Sequence, residues 1–255
     1  MASARPLVPR LAIVTGGWRR IGAVIARRLA ERGYDLALHA HHAEAIDPAF
    51  GEGLGVEVRA VVGDLAEPGF AESLPCRIAE EWGRPASLLV NSASLFREGD
   101  LAGLTRAELD AHLAVNFTAP VLLARGFAEV LGDGTGSVVH LLDQRVANPV
   151  PDQISYTLAK QALHASVRTL ARGLAPRVRV NAVAPGPVLP SEDYTDPQWE
   201  RLPGILPLQR MPAPEDIADA VAFLADAPTV TGQTLFVDGG ASLEAYPRDF
   251  VYLER

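Results

Sequence analysis

The sequence predicts an α/β fold in which a doubly wound, Rossmann-like parallel sheet forms a single domain over residues 1–255. Short apolar runs alternate along the chain with longer segments of helical periodicity. The runs lack polar alternation, which is typical of strands that are covered on both faces and joined by right-handed crossovers. With 48% hydrophobic residues, a chain of this length can bury one large core.

The first half of the chain contains four of these apolar runs and two helical segments. The runs predict strands at 11–17, 34–40, 56–65 and 86–94. The helical segments predict helices at 20–33 and 69–83. The first helix ends at Gly33, a residue favoured just beyond a helix, and the second keeps its helical pattern despite Pro75.

The second half continues the same alternation. Strands are predicted at 136–143, 178–186 and 232–240, and helices at 105–132, 155–176 and 214–226. The long helix opens with Thr105 and Glu108 in the spacing of a capping box. In parallel sheets of this class the ligand lies beyond the carboxyl ends of the strands. The candidate site is therefore lined by residues 15–22, 39–42, 64–65, 91–96, 143–145 and 184–190.

Charge and composition exclude several classes of function. The formal net charge is −8 and no basic run occurs, so a nucleic-acid duplex or an anionic membrane surface is not an expected partner. The first 17 residues contain only a short apolar run, "LAIV", and no apolar run approaches the length of a membrane span. We therefore expect a cytoplasmic protein with no nucleic-acid or membrane partner.

Cysteine usage limits the chemistry further. Cys76 is the single cysteine, which excludes an internal disulfide and any zinc site with more than one thiolate ligand. Redox chemistry must therefore come from a bound cofactor.

The stretch "TGGWRRIG", residues 15–22, follows the first strand and opens the first helix, as a phosphate-binding turn does. Gly16 permits a tight turn and Gly22 permits close packing of helix and strand, although a glycine can also simply end a strand. Arg19 and Arg20 offer positive charge to a cofactor phosphate, or they solvate a helix start. The predicted cofactor contacts of this turn are Thr15, Gly16, Arg19, Arg20, Ile21 and Gly22.

The second strand ends in "HAHH", where a carboxylate would favour NAD, so NADPH is the predicted cofactor. His39 and His41 are predicted cofactor contacts; a metal is the alternative, but no third ligand is nearby. Asp64 and Leu65 follow the third strand. Asp64 can accept a hydrogen bond from the adenine amino group or cap the following helix.

Tyr156 and Lys160 are four residues apart on a predicted helix, so both side chains emerge on the same face. A nearby ammonium group stabilises phenolate, which predicts a tyrosine pKa lowered from about 10 toward neutrality. Lys160 is the only lysine among 23 basic residues, and it follows one of only five tyrosines. A compact ammonium group is therefore needed at this position, where a planar guanidinium would not substitute.

The motifs "TGGWRRIG", "VVGDL", "NSAS", "VNFTAP", "YTLAK" and "APGPV" occur in an order that resembles the short-chain dehydrogenase/reductase family over residues 10–242. The resemblance implies that Asn116 bends a helix and supports a proton relay through water to Lys160. It also implies a homotetramer whose contacts include the "FVDGG" segment. The further cofactor contacts that it implies are Asn91, Ser92, Ala93, Tyr156, Lys160, Pro185, Gly186 and Val188.

Asp143 departs from the family, most members of which have a serine thirteen residues before the tyrosine. An ionised aspartate repels a carbonyl oxygen on which negative charge develops, and it suits a substrate with N–H donors or a ring nitrogen. This pattern resembles pteridine reductases and dihydromonapterin reductases. In that resemblance Ser94 contacts the pterin or a cofactor phosphate, and Phe96 stacks on the pterin, although Phe96 could equally be a core residue. His42 stands where those enzymes have an arginine.

The sequence therefore predicts NADPH-dependent reduction of a pterin, with Tyr156, Asp143, Lys160 and Asn116 as the catalytic residues. The proline-rich segment 187–210 is the expected lid over the substrate. Its Leu189 and Trp199 either touch the ligand or stabilise the fold. Two alternatives stay open: a general carbonyl reductase such as a 3-oxoacyl carrier-protein reductase, and a catalytically silent NADP-binding sensor.

Overall fold

A computed structural model describes residues 10–190 and 194–253, and within these ranges seven parallel strands form one sheet. The strands are β1 (Arg10–Thr15), β2 (Tyr34–Ala40), β3 (Val58–Val62), β4 (Leu88–Asn91), β5 (Gly136–Leu141), β6 (Val178–Pro185) and β7 (Thr234–Val237). Their order in the sheet is β3-β2-β1-β4-β5-β6-β7. The predicted fold class is confirmed.

The strand order reverses at the centre of the sheet, where β1 pairs with β2 on one side and with β4 on the other. Thr15 is aligned with His39 of β2 and with Asn91 of β4. These three residues mark the carboxyl ends of the central strands, beyond which a crevice opens in folds of this class.

Helices cover both faces of the sheet. They are α1 (Arg20–Glu31), α2 (Phe70–Trp82), α3 (Arg106–Leu113), α4 (Ala119–Leu131), α5 (Ile154–Leu174), α6 (Asp196–Arg201) and α7 (Pro214–Asp226). Val14 of β1 belongs to the core under α1 and α7, whereas its neighbour Ile13 belongs to the core under α2 and α4. Burying a side chain of this size contributes about 1.5–3 kcal/mol, so this two-sided core fixes the strand ends that carry the crevice.

The helix predicted at 105–132 is interrupted by a π-helical turn, Ala114–Thr118, between α3 and α4. Thr105 begins α3 as expected, because its hydroxyl accepts a hydrogen bond from the backbone N–H of Glu108. Asn116 lies within the π-helical turn and is fully buried. The periodicity of the sequence did not reveal this extra residue, since a π turn shifts the helical face without removing apolar residues.

The helical run Arg106–Leu131 is long and apolar enough, by length and composition alone, to cross a membrane. Two large apolar side chains of this run, Leu123 and Phe127 of α4, pack in the core beneath the sheet, and 44% of the apolar window is buried.

The described part of the predicted lid, 187–190 and 194–210, contains α6 and a 3₁₀ turn, Leu202–Ile205; residues 191–193 lie outside the described residues. Leu202 and Leu206 form a small separate core with Phe250 from the end of the chain. Gln198 is also buried, and its Nε2 donates to the carbonyl of Val251 at 3.1 Å. The lid is therefore attached to the C-terminal segment, which the sequence did not predict.

Gly22 is expected to tolerate no side chain. A Cβ atom at this position in α1 would lie 2.1 Å from the carbonyl oxygen of Gly16, so Gly22→Ala must displace the glycine turn. We expect a loss of about 1–3 kcal/mol in the free energy of unfolding, measured by urea denaturation. Gly173→Ala in α5 is the matched control, because nothing lies within 4 Å of its Cβ position and alanine favours a helix. Equal stability of the two variants would contradict this close approach.

Candidate active site

A cleft of about 550 Å³ opens at the carboxyl ends of the strands. The sequence-predicted residues that line it are Gly16, Arg19, Arg20, Ile21, Gly22, Ser92, Ala93, Ser94, Phe96, Asp143, Tyr156, Pro185, Gly186 and Val188. A second cavity of about 250 Å³ is lined by His39, His41, Asp64 and Leu65. Ala93 and Ser94 line both cavities, so the two spaces meet at the end of β4.

The glycine turn leaves room for a ligand and offers it backbone donors. Gly16 has φ +63°, and a Cβ atom there would come within 3.0 Å of the Cα of Ala93. Arg20 also has a positive φ, 52°, and its guanidinium group lies 3.4 Å from the lid carbonyls of Leu189 and Pro190. Arg19 precedes α1 without a side-chain capping bond, so the first N–H groups of the helix face the cleft without a cap.

Thr15 and Asn91 lie behind the cleft rather than on its surface. The hydroxyl oxygen of Thr15 accepts hydrogen bonds at 3.0 Å from the backbone N–H groups of Ser92 and Ala93. Asn91 is buried, and its Nδ2 lies 3.1 Å from Nδ1 of His140. Both side chains join neighbouring strand ends and so hold the cavity-lining residues 92–94 in place.

The two predicted histidines occupy different environments. His39 is buried, with Nδ1 3.4 Å from the N–H of Gly16 and Nε2 2.9 Å from the carbonyl of Gly63. Burial lowers the pKa of His39, so its ring is neutral at pH 7. Because both ring nitrogens have partners, His39 braces the glycine turn and offers no metal ligand. Among residues 10–190 and 194–253, no group of three His, Cys, Asp or Glu side chains is arranged so that it could hold a metal ion.

His41 and Asp64 lie at the open end of the smaller cavity. The His41 ring stacks on that of His42 with 3.8 Å between centroids, and its Nε2 is 3.5 Å from Oδ2 of Asp64. Oδ1 of Asp64 accepts from the backbone N–H of Ala66 at 2.8 Å. Asp64 therefore stabilises the local turn with one oxygen while its other oxygen faces the cavity region.

Asp143 and Tyr156 meet inside the large cleft. The Tyr156 hydroxyl donates to Oδ2 of Asp143 at 3.1 Å, and Asp143 keeps 19% of its side-chain surface exposed. The ring of Phe96 meets the Tyr156 ring edge-on, 4.8 Å between centroids, and 41% of Phe96 is exposed. Phe96 is thus a cleft wall with an open face and not a core residue.

The pKa of Tyr156 is raised, whereas the sequence predicted that it would be lowered. Burial raises the pKa of Tyr156 well above 10, and the adjacent carboxylate of Asp143 raises it further. Arg145 and Ser94 oppose this rise without overcoming it. The expectation of a lowered value was wrong because the phenol is desolvated and faces an anion. Tyr156 is therefore a neutral phenol, a proton donor.

Lys160 lies beneath Tyr156 and is 3% exposed. Its Nζ donates to the carbonyl of Leu141 at 2.7 Å and lies 5.6 Å from the centre of the Tyr156 ring. Burial lowers the pKa of Lys160 to about 8, against the opposite effect of Asp143. The ammonium group is therefore present at pH 7 and lost in mildly alkaline solution.

Asn116 holds the loop that carries Ser94 and Phe96. Its Oδ1 accepts from the backbone N–H of Leu95 at 2.9 Å and from the Ser94 hydroxyl at 3.0 Å, and its Nδ2 donates to the Leu95 carbonyl at 2.7 Å. The π-helical turn places this side chain against the end of β4. Asn116 thus positions cleft residues through its side chain.

Residues 249–251 line the large cleft and were not predicted from the sequence. Gln144 and Arg145 lie in the predicted lining range 143–145 and Tyr194 lies in the predicted lid, but none of the three was given a role. Arg145 bonds both Asp143 and Asp249. The one available signal was the position of Arg145 two residues after Asp143; nothing local links it to Asp249.

The two lid residues whose roles the sequence left open differ in position. Trp199 packs against Tyr194 within the lid core, with 5.2 Å between ring centroids, which favours a structural role, whereas Leu189 lines the cleft.

Relatives of this chain include reductases with different substrates. The chain is similar to the 3-oxoacyl-[acyl-carrier-protein] reductase of Bos taurus, 32% identical, covering 92% of this chain and 98% of that protein. It is also similar to dehydrogenase/reductase SDR family member 4 of Homo sapiens, 32% identical, covering 94% of this chain and 90% of the relative.

Among solved structures, FolM alternative dihydrofolate reductase 1 from Brucella suis, in complex with NADP, is 39% identical with a TM-score of 0.87. The match covers 92% of this chain and 96% of that structure. A family model described as enoyl-(acyl carrier protein) reductase matches residues 17–242. The chain therefore belongs to the short-chain dehydrogenase/reductase family of oxidoreductases.

Proposed function

We propose that the protein is an NADPH-dependent reductase of pterins. The observation that carries this proposal is the Asp143 carboxylate, which accepts the Tyr156 hydroxyl at 3.1 Å on the wall of the large cleft. A carbonyl oxygen that gains negative charge beside this carboxylate would be repelled. A heterocycle that offers N–H groups would be attracted.

The cleft is suited to a flat heterocycle. Phe96 presents an open aromatic face at its entrance, and the FolM structure from Brucella suis is named as a dihydrofolate reductase. A planar ring stacked on Phe96 brings its edge near Tyr156, which meets that phenyl ring edge-on and donates a hydrogen bond to Asp143.

NADPH fits the two connected cavities. Together they extend from the glycine turn to Asp64, and the uncapped start of α1 offers N–H groups to a pyrophosphate. Arg19 and Arg20 supply positive charge beside that turn, and no carboxylate follows β2 directly. The remaining proposed contacts are Ile21, His39, His41, Leu65, Ser92, Ala93, Tyr156, Lys160, Pro185, Gly186 and Val188. NADP in the similar Brucella structure supports this cofactor.

The residues of the chain would divide the proton chemistry among them. When bound, NADPH supplies the hydride that reduces a C=N carbon of the substrate. Tyr156, a neutral phenol, donates its proton to the adjacent ring nitrogen. Asp143 accepts N–H groups and orients the ring, and Ser94 adds a hydroxyl at the cleft wall. Lys160 holds the cofactor ribose and returns a proton toward Tyr156, on a path supported by Asn116.

The decisive experiment follows NADPH consumption at 340 nm with dihydropterins, folates and acetoacetyl thioesters in parallel. We expect turnover of a dihydropterin or dihydrofolate, with acetoacetyl thioesters at least a hundredfold slower in kcat/KM. The reverse preference would establish the second candidate, a 3-oxoacyl carrier-protein reductase, which the Bos taurus relative favours. Binding of NADPH without turnover of any of these substrates would support the NADP-binding sensor.

NADPH affinity should depend on pH through Lys160. Its pKa is lowered from 10.5 to about 8, so the ammonium group is fully present only well below pH 8 and is lost as the pH rises through that value. The dissociation constant for the anionic cofactor, measured by nicotinamide fluorescence, is expected to increase above about pH 8, by up to about tenfold per pH unit. Lys160→Met, which has no titrating group at this position, should remove this dependence. A flat wild-type profile from pH 7 to 9.5 would contradict this role of Lys160.

We also propose a homotetramer. β7 is the edge strand of the sheet, and Phe236 on it and Leu243 beyond it are exposed apolar residues. Light scattering should give a mass near four times 27.2 kDa. The alternative is a dimer, and a mass near two times or one times 27.2 kDa at micromolar concentration would exclude the tetramer.

A further inference from the structure

Arg145 is a buried arginine that connects three parts of the molecule. Its Nε donates to Oδ1 of Asp143 at 3.0 Å, its Nη1 to Oε1 of Gln153 at 3.1 Å, and its Nη2 to Oδ2 of Asp249 at 2.7 Å. The residue is 5% exposed. Burying a guanidinium group is costly unless it is paired and hydrogen-bonded, so these partners are required for it to occupy this position.

The same network fixes the orientation of the Asp143 carboxyl group. Its Oδ1 accepts both the backbone N–H of Arg145 at 2.9 Å and the Nε–H at 3.0 Å, while its Oδ2 accepts the Tyr156 hydroxyl. Every neighbour that touches the carboxyl group in this network is a donor. Two of these three donors belong to Arg145, so Arg145 fixes the orientation of the Asp143 carboxyl group.

The C-terminal segment 249–251 holds Arg145 from the opposite side. Asp249 is 5% exposed, its backbone N–H donates to Asp152 at 2.7 Å, and its Oδ1 accepts from the N–H of Val251 at 3.0 Å. Burial opposes the charge on Arg145, but the carboxylates of Asp143 and Asp249 outweigh it and raise the pKa of Arg145. The segment also lines the cleft, so it contributes both a wall and an anchor.

We propose that Arg145 is a positioning residue anchored by Asp249, and that the pair holds the Asp143 carboxyl group aimed at Tyr156 and so selects substrates with N–H donors. The selection of substrates with N–H donors rests on the proposed function, whereas the positioning of Asp143 by Arg145 and Asp249 does not. The other titratable groups that face Asp143 are Tyr156 and Lys160, both from α5. Asp152 and Arg248 pair with each other beyond Asp249.

The first test compares Arg145→Met and Arg145→Lys in the pH profile of kcat/KM for the active substrate. Arg145→Met removes the cation but retains a long side chain, so the midpoint of the acid limb should rise by at least one pH unit. At pH 7, kcat/KM should fall at least tenfold. Arg145→Lys should restore the midpoint to within about half a unit.

Asp249→Asn gives a test of opposite sign. In the wild type, Asp249 and Asp143 share the guanidinium group of Arg145. Without the Asp249 carboxylate the positive charge acts on Asp143 alone, so the midpoint of the acid limb of kcat/KM should move to lower pH. A simple loosening of the fold would lower activity in both variants without moving the two midpoints in opposite directions. If Arg145→Met does not fold, the direction seen in Asp249→Asn decides the question.

A measurement without substrate separates this inference from the proposed function. In ¹³Cγ-aspartate NMR of the full chain, the Asp143 signal, assigned through Asp143→Asn, should show the same opposite shifts in titration midpoint. Arg179→Met is the control, because Arg179 donates to the carbonyls of Leu224 and Ala225, outside the cleft. In Arg179→Met the titration midpoint of the Asp143 signal should equal that of the wild type. Unchanged midpoints in Arg145→Met and Asp249→Asn would overturn the inference even if pterins are reduced, whereas opposite shifts with no pterin turnover would refute only the substrate.

Discussion

Replacement of Asp143 by serine is expected to lower kcat/KM for a dihydropterin by about a hundred- to a thousandfold, while the dissociation constant for NADPH changes by less than threefold. The carboxylate is the proposed acceptor for substrate N–H groups, and it also accepts the Tyr156 hydroxyl. A serine oxygen lies further from the cleft and carries no charge. Steady-state kinetics and fluorescence titration of NADPH measure the two effects separately.

Asp143→Asn is the matched variant, because it keeps the shape and one acceptor oxygen for Arg145 but removes the charge. We expect it to lose at least tenfold in pterin kcat/KM and to remain folded, whereas Asp143→Ser also leaves the Nε of Arg145 without its partner. Thermal unfolding curves of both variants separate lost stability from lost chemistry. Full pterin activity in Asp143→Ser would refute the proposed role of the carboxylate.

The fold was predictable because its signals are local. The strand predicted at 34–40 and the helix predicted at 214–226 are present with those bounds, since an uninterrupted apolar run and an apolar helical face are each read within a short window. Gly16 and Gly22 were predictable for the same reason. The turn that contains Gly16 comes immediately after β1 in the sequence and leads into α1, so its position is predictable once β1 is recognised.

The rest of the site depends on contacts between distant parts of the chain. Arg145 and Asp249 are 104 residues apart, and the π-helical turn around Asn116 alters a helix without changing its apolar content. The direction of the Tyr156 pKa depends on burial and on the position of Asp143, neither of which spacing provides. Local patterns in the sequence therefore predict residues that line the cleft, whereas the hydrogen-bond network behind them depends on contacts between distant segments.

Replacement of Tyr156 by phenylalanine is expected to lower kcat by about 10²–10⁴-fold, the usual contribution of a positioned general acid, which corresponds to about 2.7–5.5 kcal/mol. The phenol is buried and neutral, with a pKa raised well above 10, so it is poised to donate a proton rather than to accept one. NADPH affinity should change by less than threefold, because the ring and its contact with Phe96 are retained. Stopped-flow measurement of NADPH oxidation in a single turnover isolates this step.

Tyr34→Phe is the matched control, since Tyr34 is also a buried tyrosine but begins β2 at the opposite end of the strands from the cleft. Its loss of a hydroxyl should leave kcat within about twofold of the wild type. The acidity of the substrate nitrogen supplies a second check: a substrate that is already protonated at that nitrogen needs no donor, so the deficit of Tyr156→Phe should shrink as the pH falls. A deficit that is independent of pH, or equal losses in both variants, would show that the hydroxyl of Tyr156 does not deliver the proton.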